Sequence, residues 1–527
     1  MSGSKRWGMS SSGLPASEAK HRLPGRPVVL LGLDGLGQEF LDSPLVSDAA
    51  PNLRALLRDG GLAPLRSTFP PYTAPAWTSI TTGVGPGRHG VFGFTDTDGH
   101  AVSDAAVAVP RLWDYVGQAG GRSVVLNMPI THPPRPIEGV LISGMPVPPG
   151  AAYTAPAGQA AALEADGYVV DVAVREDGDE GPATLRRLQA MTEARGRAAV
   201  RLAESETWDL FVAVFVLPDR LGHPWWKYLV ASDAGDTADA SGTGGQLFDS
   251  GPASKIRGAA RECLRALDRA VVDLMAALPA NAAVIACSDH GFGSLRADAF
   301  FDVALAGAGL IDAPTGSALL GRIGRSAVGR RLPGRVRRAG RSAARVDAAR
   351  RGQAWTATSY ECGVRLADPA VADEVIELLH GLTDPDGRPV VAAVHRRADL
   401  FHGPHVDRAP DLLVELADES VDLHDGLHAP APWVSRHDVP WGTHRVDGIV
   451  AVRGEPMTAK GEAADVAATA LDLLGLDVAG LDGRSLVAGR GDHRAVSATV
   501  EAGDNAAYSE AEEQAVLEHL KSLGYVD

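Results

Sequence analysis

Short apolar runs recur along the chain, each bounded by polar, Gly or Pro residues: VVLLGL at 28–33, RSVVLNMP at 122–129, GVLISGMP at 139–146, LFVAVFVLP at 210–218, AAVIACSD at 282–289, DLLVEL at 411–416 and GIVAVRG at 448–454. Runs with so little polar alternation predict strands buried on both faces. Between them, stretches such as 185–204 and 257–278 space their apolar residues three to four apart, which predicts amphipathic helices. The alternation predicts an α/β fold with a central, mostly parallel sheet and helices on both faces. The segment APNLRALLRDGG reads as a helix closed by Gly60. In PPYTAPAWTSITTG a Thr, a Pro two residues later and a terminal Gly predict another helix, with Thr73 at its cap and Gly83 near its end.

In open α/β sheets ligands bind beyond the carboxyl ends of the strands. Asp34, Asp219 and Asp289 follow apolar runs closely, so they are expected on one edge. His223, four residues after Asp219, faces the same way if the chain turns helically between them. His290 adjoins Asp289 on a Gly-rich turn, whose backbone is free enough to aim both side chains. His444 precedes its run, so its segment is expected to enter from a loop. The Thr73 hydroxyl would lie where a helix N-terminus attracts anions. Taken singly, each segment has a bland reading: Asp34 as a turn residue or helix cap, SDHGFG as a capped turn. Together, three carboxylates, three imidazoles and a hydroxyl exceed what one catalytic zinc takes, which is about three protein ligands and an open position. Two metal ions are the economical reading.

Composition narrows the setting. At 527 residues the chain exceeds one ordinary core, so a large domain with insertions, or two domains, is expected. Hydrophobic residues at 45% and charged residues at 22% suit a soluble globular protein, and a net charge of −16 disfavours nucleic acid or anionic lipid as a default partner. Residues 1–26 are basic and polar without an apolar signal region and are expected to form a disordered tail. The apolar runs are too short to cross a bilayer. Cys263, Cys287 and Cys362 are odd in number and far apart, which predicts free thiols and a cytoplasmic location. Residues 231–252 read as a flexible loop beside the His223 segment. Residues 322–351 hold eleven Arg and one Asp, a charge of +10 against −16 overall, so the rest of the chain carries −26. That insert reads as a solvated or intramolecular face, a lid over an anionic substrate, or a nucleic-acid or lipid surface.

The set of segments PLRSTFPPYTAPAWTSITTGVGPGRHGVFGF, VLNMPITHPPRP, DRLGHPWW, SDHGFG, GTHRVDGIV and DVAATALDLLGLDVAGLDGRSL, with the terminal YSEAEEQAVLEHLKSLGYVD, resembles the alkaline-phosphatase superfamily. Within it, the nucleotide pyrophosphatase/phosphodiesterase-like branch is the nearest, in particular its bacterial predicted phosphohydrolases or phosphomutases. The resemblance implies a catalytic domain over 27–490, with variable caps at about 95–205 and 300–400, and a C-terminal extension at 491–527 ending in a helix. It implies that Thr73 is the nucleophile. Asp219, His223 and His444 would hold one ion; Asp34, Asp289, His290 and the Thr73 oxygen would hold the other. Such ligands suit two zinc ions, with manganese tolerated. A metal on the Thr73 oxygen lowers its pKa for attack on phosphorus, giving a phospho-threonine intermediate. The implied substrate is a small phosphorylated metabolite.

One departure stands out: eukaryotic-type relatives carry a phosphoryl-binding Asn three residues after the nucleophile, and here that position is Ala76. Substrate preference therefore does not transfer. Arg88 and Trp225 are weak substrate-binding candidates, weighed against an exposed Arg88 and a core-packed Trp225 and Trp226; His89 reads as a structural hydrogen-bonding residue. A sulfatase would need Cys or Ser in a C/S-x-P-x-R context where this chain has TAPAW. A phosphomonoesterase or phosphomutase of the same superfamily is the alternative, although mutases carry a Ser nucleophile and a large transfer domain. A non-catalytic anion-binding protein is a further alternative, disfavoured because buried carboxylates without metal repel one another. Oligomeric state stays open.

Overall fold

The computed structural model describes residues 23–174, 181–231, 251–311, 352–357, 361–427, 429–436, 439–457, 460–488, 493–497 and 508–522. Nearly all of the expected tail and of the 231–252 loop, and the whole Arg-rich insert, lie outside these residues.

The continuous apolar runs become the buried heart of the main sheet. Its strands include β1 (Val28–Leu33), β2 (Ala63–Arg66), β3 (Ser123–Met128), β4 (Gly139–Ser143), β5 (Thr154–Ala155), β6 (Leu210–Phe215) and β7 (Ala283–Cys287), joined by strands Asp447–Arg453 and Gly461–Glu462. The spatial order is Gly461–Glu462, β2, Asp447–Arg453, β7, β1, β6, β3, β4, β5. From β7 to β4 every neighbour is parallel, while Asp447–Arg453 runs antiparallel to β7 and β2. All residues of β1, β3, β6 and β7 are buried, as a sheet covered on both faces requires. The long helices Gly181–Ser205 and Pro252–Ala277 pack against each other on it.

Two glycines allow the sheet edge to close around the site. A Cβ on Gly32 would lie 2.6 Å from the Trp77 ring, so its absence lets Trp77 cross β1. Gly35 has φ +72°, and a Cβ there would sit 3.0 Å from the Asp219 backbone, so the turn after Asp34 suits only glycine.

Residues 95–205, expected as a variable cap, supply β3, β4 and β5 to the main sheet. A second, smaller core lies later in the chain. There an antiparallel sheet of Ala354–Thr356, Gly363–Leu366, Leu412–Leu416 and Val391–Arg396 packs with helix Ala372–His380 around Val364, Val375, Leu379 and Val414. The C-terminal helix Glu510–Ser522 does not stand apart. Val516 and Leu520 are fully buried with Ala74, Ile130 and Met145, and Tyr508 stacks on His132 at 5.6 Å. Each such buried aliphatic contributes about 1.5–3 kcal/mol, enough to fix the helix beside the start of the Thr73–Thr82 helix. No disulfide joins Cys263, Cys287 and Cys362. Among the described residues no helix is long and apolar enough to cross a membrane.

Candidate metal centre

Parallel order places the carboxyl ends of β7, β1 and β6 side by side, and the three aspartates emerge from them. The turns are tied together: Asp219 N–H donates to the Asp34 carbonyl at 3.0 Å, and Gly35 N–H donates to Asp289 Oδ1 at 3.1 Å. After β6 the chain enters helix Leu217–Val230, where Pro218 stands at a position that has no acceptor for an N–H. One turn then separates Asp219 from His223, leaving Asp219 Oδ1 3.3 Å from His223 Nε2.

His444 arrives on a short strand, not the expected loop. Gly442–Arg445 pairs antiparallel with Gly291–Ser294, the strand that follows His290, and His444 sits opposite Phe292. This ribbon stacks the His444 ring on the His290 ring at 3.7 Å. It also brings His444 Nε2 to 3.2 Å from His223 Nε2 and 3.5 Å from Asp219 Oδ1. Phe292 meets the His223 ring edge-on at 4.9 Å.

Two groups result. The ligand atoms of Asp219, His223 and His444 lie within 4.8 Å of one another, and so do those of Asp34, Asp289 and His290. Thr73 Oγ1 is 3.5 Å from His290 Nε2, so the hydroxyl adjoins the second group. Thr73 is the first residue of its helix, with Tyr72 at the cap position where Thr73 was expected; Gly83 closes the helix in the left-handed conformation.

Hydrogen bonds set the ring tautomers. His444 Nδ1 donates to the Pro71 carbonyl at 3.0 Å, and His290 Nδ1 donates to the Gly291 carbonyl at 3.0 Å, so each Nε2 presents a lone pair. Burial, followed by the neighbouring His290, pushes the His444 pKa down to about 3, and burial lowers that of His290. Both imidazoles are therefore neutral. Burial raises Asp34 well above the usual carboxylate range, with Asp289 and Asp219 adding to the rise. Burial likewise raises Asp289. Burial also acts to raise Asp219, but His223, His444 and Arg220 together hold it well below.

These residues fit divalent cations. Asp34 Oδ1 and Asp289 Oδ2 are buried without a hydrogen-bond donor, although buried acceptors are normally satisfied. Both lie near the His290 Nε2 lone pair, at 3.7 and 3.3 Å. Two nitrogens and one oxygen in the first group suit zinc, and the oxygen-richer second group also tolerates manganese.

Sequence reasoning missed the residues that hold these side chains in place. Trp77 Nε1–H donates to Asp34 Oδ2 at 3.2 Å, and Arg220 pairs with Asp219 from the adjacent position. Trp77 lies within the Thr73 segment, four residues on, and that spacing was the available signal. The partner of Arg220, the buried carboxylate of Asp171, left no local trace.

Other sequence candidates lie elsewhere. Arg88 pairs with Asp482 at 2.7 Å and donates to the Gly480 carbonyl. Trp225 is buried at a kink in its helix, and Trp226 packs between Phe40 and Phe292. His89 is fully buried; its Nδ1 accepts from Val91 N–H at 3.1 Å and its Nε2 donates to Ser79 Oγ at 2.9 Å. Burial, Arg111 and His405 lower its pKa to about 3, so its contribution to stability is complete above the unfolded value near 6.5 and is lost as pH falls toward the folded one. Accordingly, His89→Gln is expected to cost more stability at pH 7.5 than at pH 4.5, as urea unfolding at the two pH values would show.

Comparison with known proteins places this arrangement. The profile described as type I phosphodiesterase / nucleotide pyrophosphatase matches residues 28–444, which span Asp34 through His444. The chain belongs to that family. As a member it is an enzyme, a hydrolase of phosphoester-type bonds. No curated protein matched the sequence. Among solved structures, phosphonoacetate hydrolase from Sinorhizobium meliloti 1021, in complex with phosphonoformate, is similar with a TM-score of 0.56 and 16% identity, over 86% of this chain and 96% of that one. The same enzyme with phosphonoacetate gives 0.55 and 16%, at the same coverage. Murine ectonucleotide pyrophosphatase / phosphodiesterase 5 gives 0.45 and 14%, over 89% and 98%. The family member described here thus has the alkaline-phosphatase-like fold expected from its motifs.

Proposed function

We propose that the chain hydrolyses a phosphodiester or pyrophosphate bond in a small phosphorylated metabolite, with Thr73 as nucleophile. The observation that carries this is the Thr73 hydroxyl at a helix N-terminus, 3.5 Å from His290 Nε2 and beside two abutting ligand groups. Asp219, His223 and His444 would hold one divalent ion, and Asp34, Asp289, His290 and the Thr73 oxygen the other, with zinc the favoured metal. When bound, such ions supply positive charge that lowers the hydroxyl pKa and neutralises phosphoryl oxygens.

The chain's own contribution is positional. Thr73 passes its proton to solvent water, its oxygen bonds to phosphorus as the bond from phosphorus to the leaving oxygen breaks, and the ester or phosphate leaving group departs, taking up a proton from solvent. Water then cleaves the phospho-threonine and restores the hydroxyl. Few backbone donors assist: Ala76 N–H is engaged by the Tyr72 carbonyl at 3.0 Å and Pro75 has none, which leaves the amides of Thr73 and Ala74. With Ala76 in place of an amide side chain, the ligand groups carry more of the charge stabilisation. Thr73 is fully buried, whereas the His223 side chain is 33% exposed, so substrate is expected to approach from the His223 side.

The deciding experiment compares turnover of bis-p-nitrophenyl phosphate, p-nitrophenyl phosphate and phosphonoacetate by the zinc-loaded protein. Faster diester cleavage is expected. Preference for the monoester would move the reading to a phosphatase or mutase, and preference for phosphonoacetate to C–P bond hydrolysis.

A further inference from the structure

Beside the first ligand group, the chain buries a second layer of charge. Arg220 is 3% exposed and next in sequence to Asp219. Its Nη2 and Nε donate to the two oxygens of Asp171, at 2.7 and 3.2 Å, and its Nη1 donates to Asp219 Oδ2. The Asp171 side chain is 2% exposed and accepts from Val172 N–H at 2.8 Å, so one end of the bridge is anchored in the backbone. A second buried arginine, Arg195, donates to the adjoining Val170 carbonyl at 2.7 Å and steadies the same segment. His519 of the C-terminal helix lies within electrostatic reach of both Asp171 and Arg220.

The division of Asp219 matters most. Oδ2 is occupied by Arg220, while Oδ1 is the oxygen that faces His223 Nε2 at 3.3 Å and His444 Nε2 at 3.5 Å. A guanidinium is planar, and with two of its nitrogens fixed on Asp171 the third has one direction left in which to donate. We infer that Arg220, held by Asp171, is a positioning residue that orients the Asp219 carboxylate so that Oδ1 serves the Asp219–His223–His444 group. This rests on reading that group as a metal site. A purely structural Arg220, present only to neutralise Asp171, would have no selective effect on one ligand group.

The test is zinc titration of the full chain by competition with a chromophoric chelator. Wild type, Arg220→Gln, Arg220→Lys and Asp171→Asn are compared, with His223→Ala marking which binding step belongs to this group. Wild type is expected to bind two equivalents. Arg220→Gln should weaken the step marked by His223→Ala by about 10–100-fold and leave the other step unchanged. Asp171→Asn should weaken the same step by less, because Arg220 keeps its bond to Asp219 but loses its anchor. Arg220→Lys restores charge without the fork and should recover only part of the loss. The inference is overturned if Asp171→Asn and the Arg220 variants that fold bind both equivalents like wild type, or weaken both steps alike. Wild type binding no zinc would instead remove the metal-site reading, and this inference with it.

Discussion

Thr73→Ala is expected to lower phosphodiester turnover by at least about 10³-fold in zinc-loaded protein while leaving the fold intact. The fold should survive because alanine is a good residue for the first turn of a helix and the Thr73 hydroxyl holds no backbone group in place. The activity should not, because the Thr73 hydroxyl, 3.5 Å from His290 Nε2, is the proposed nucleophile. Thr73→Ser separates the two roles of the residue. It keeps the oxygen and removes a buried methyl, so it should retain measurable turnover with a modest loss of stability. Brief incubation with a diester, acid quenching and mass spectrometry of the peptide containing residue 73 should reveal a phosphoryl adduct in wild type and none in Thr73→Ala. If Thr73→Ala retained turnover within about tenfold of wild type, water would have to attack directly, and the family reading would survive without a covalent intermediate.

The parts of this site that could be read in the sequence are those written locally. β1, β6 and β7 are interior parallel strands, so burial on both faces makes each an unbroken apolar run. A polar residue just past such a run lies at the sheet's carboxyl edge, which exposes Asp34, Asp219 and Asp289 together. The i to i+4 spacing of Asp219 and His223 likewise predicts a shared helix face, and the helix delivers it. What could not be read depends on pairings across hundreds of residues. The ribbon between Gly442–Arg445 and Gly291–Ser294 gives His444 its position, yet GTHR has no strand-like alternation of its own. Arg220 looks like an ordinary exposed helix charge until Asp171, 49 residues earlier, covers it. The short strand APLR of β2 is partly exposed and pairs through its backbone, so composition does not mark it. Arg88 seemed free to meet an anion only because Asp482 is so distant in sequence.

Removing metal is the second large perturbation, and its effect on stability should depend on pH in a defined direction. Chelation is expected to abolish turnover and to lower the melting temperature, with zinc restoring both. A ligand that binds only the folded state at 100 times its dissociation constant adds about 2.7 kcal/mol, a shift of a few degrees for a chain of this size. Without a counter-ion, Asp34 and Asp289 are buried like charges whose folded pKa values lie well above the ordinary range. Their share of stability in the metal-free protein is therefore present below the unfolded pKa, near 4, and is lost as pH rises through the raised folded values. Zinc ligation by the same oxygens requires them deprotonated, so protons and metal compete. The gain in melting temperature on adding zinc should consequently be larger at pH 8 than at pH 6. Asp34→Asn should shrink that pH dependence, because it removes one of the two competing carboxylates together with a ligand. Equal gains at both pH values in the wild type would mean that these carboxylates do not titrate against the metal, and would overturn this reading.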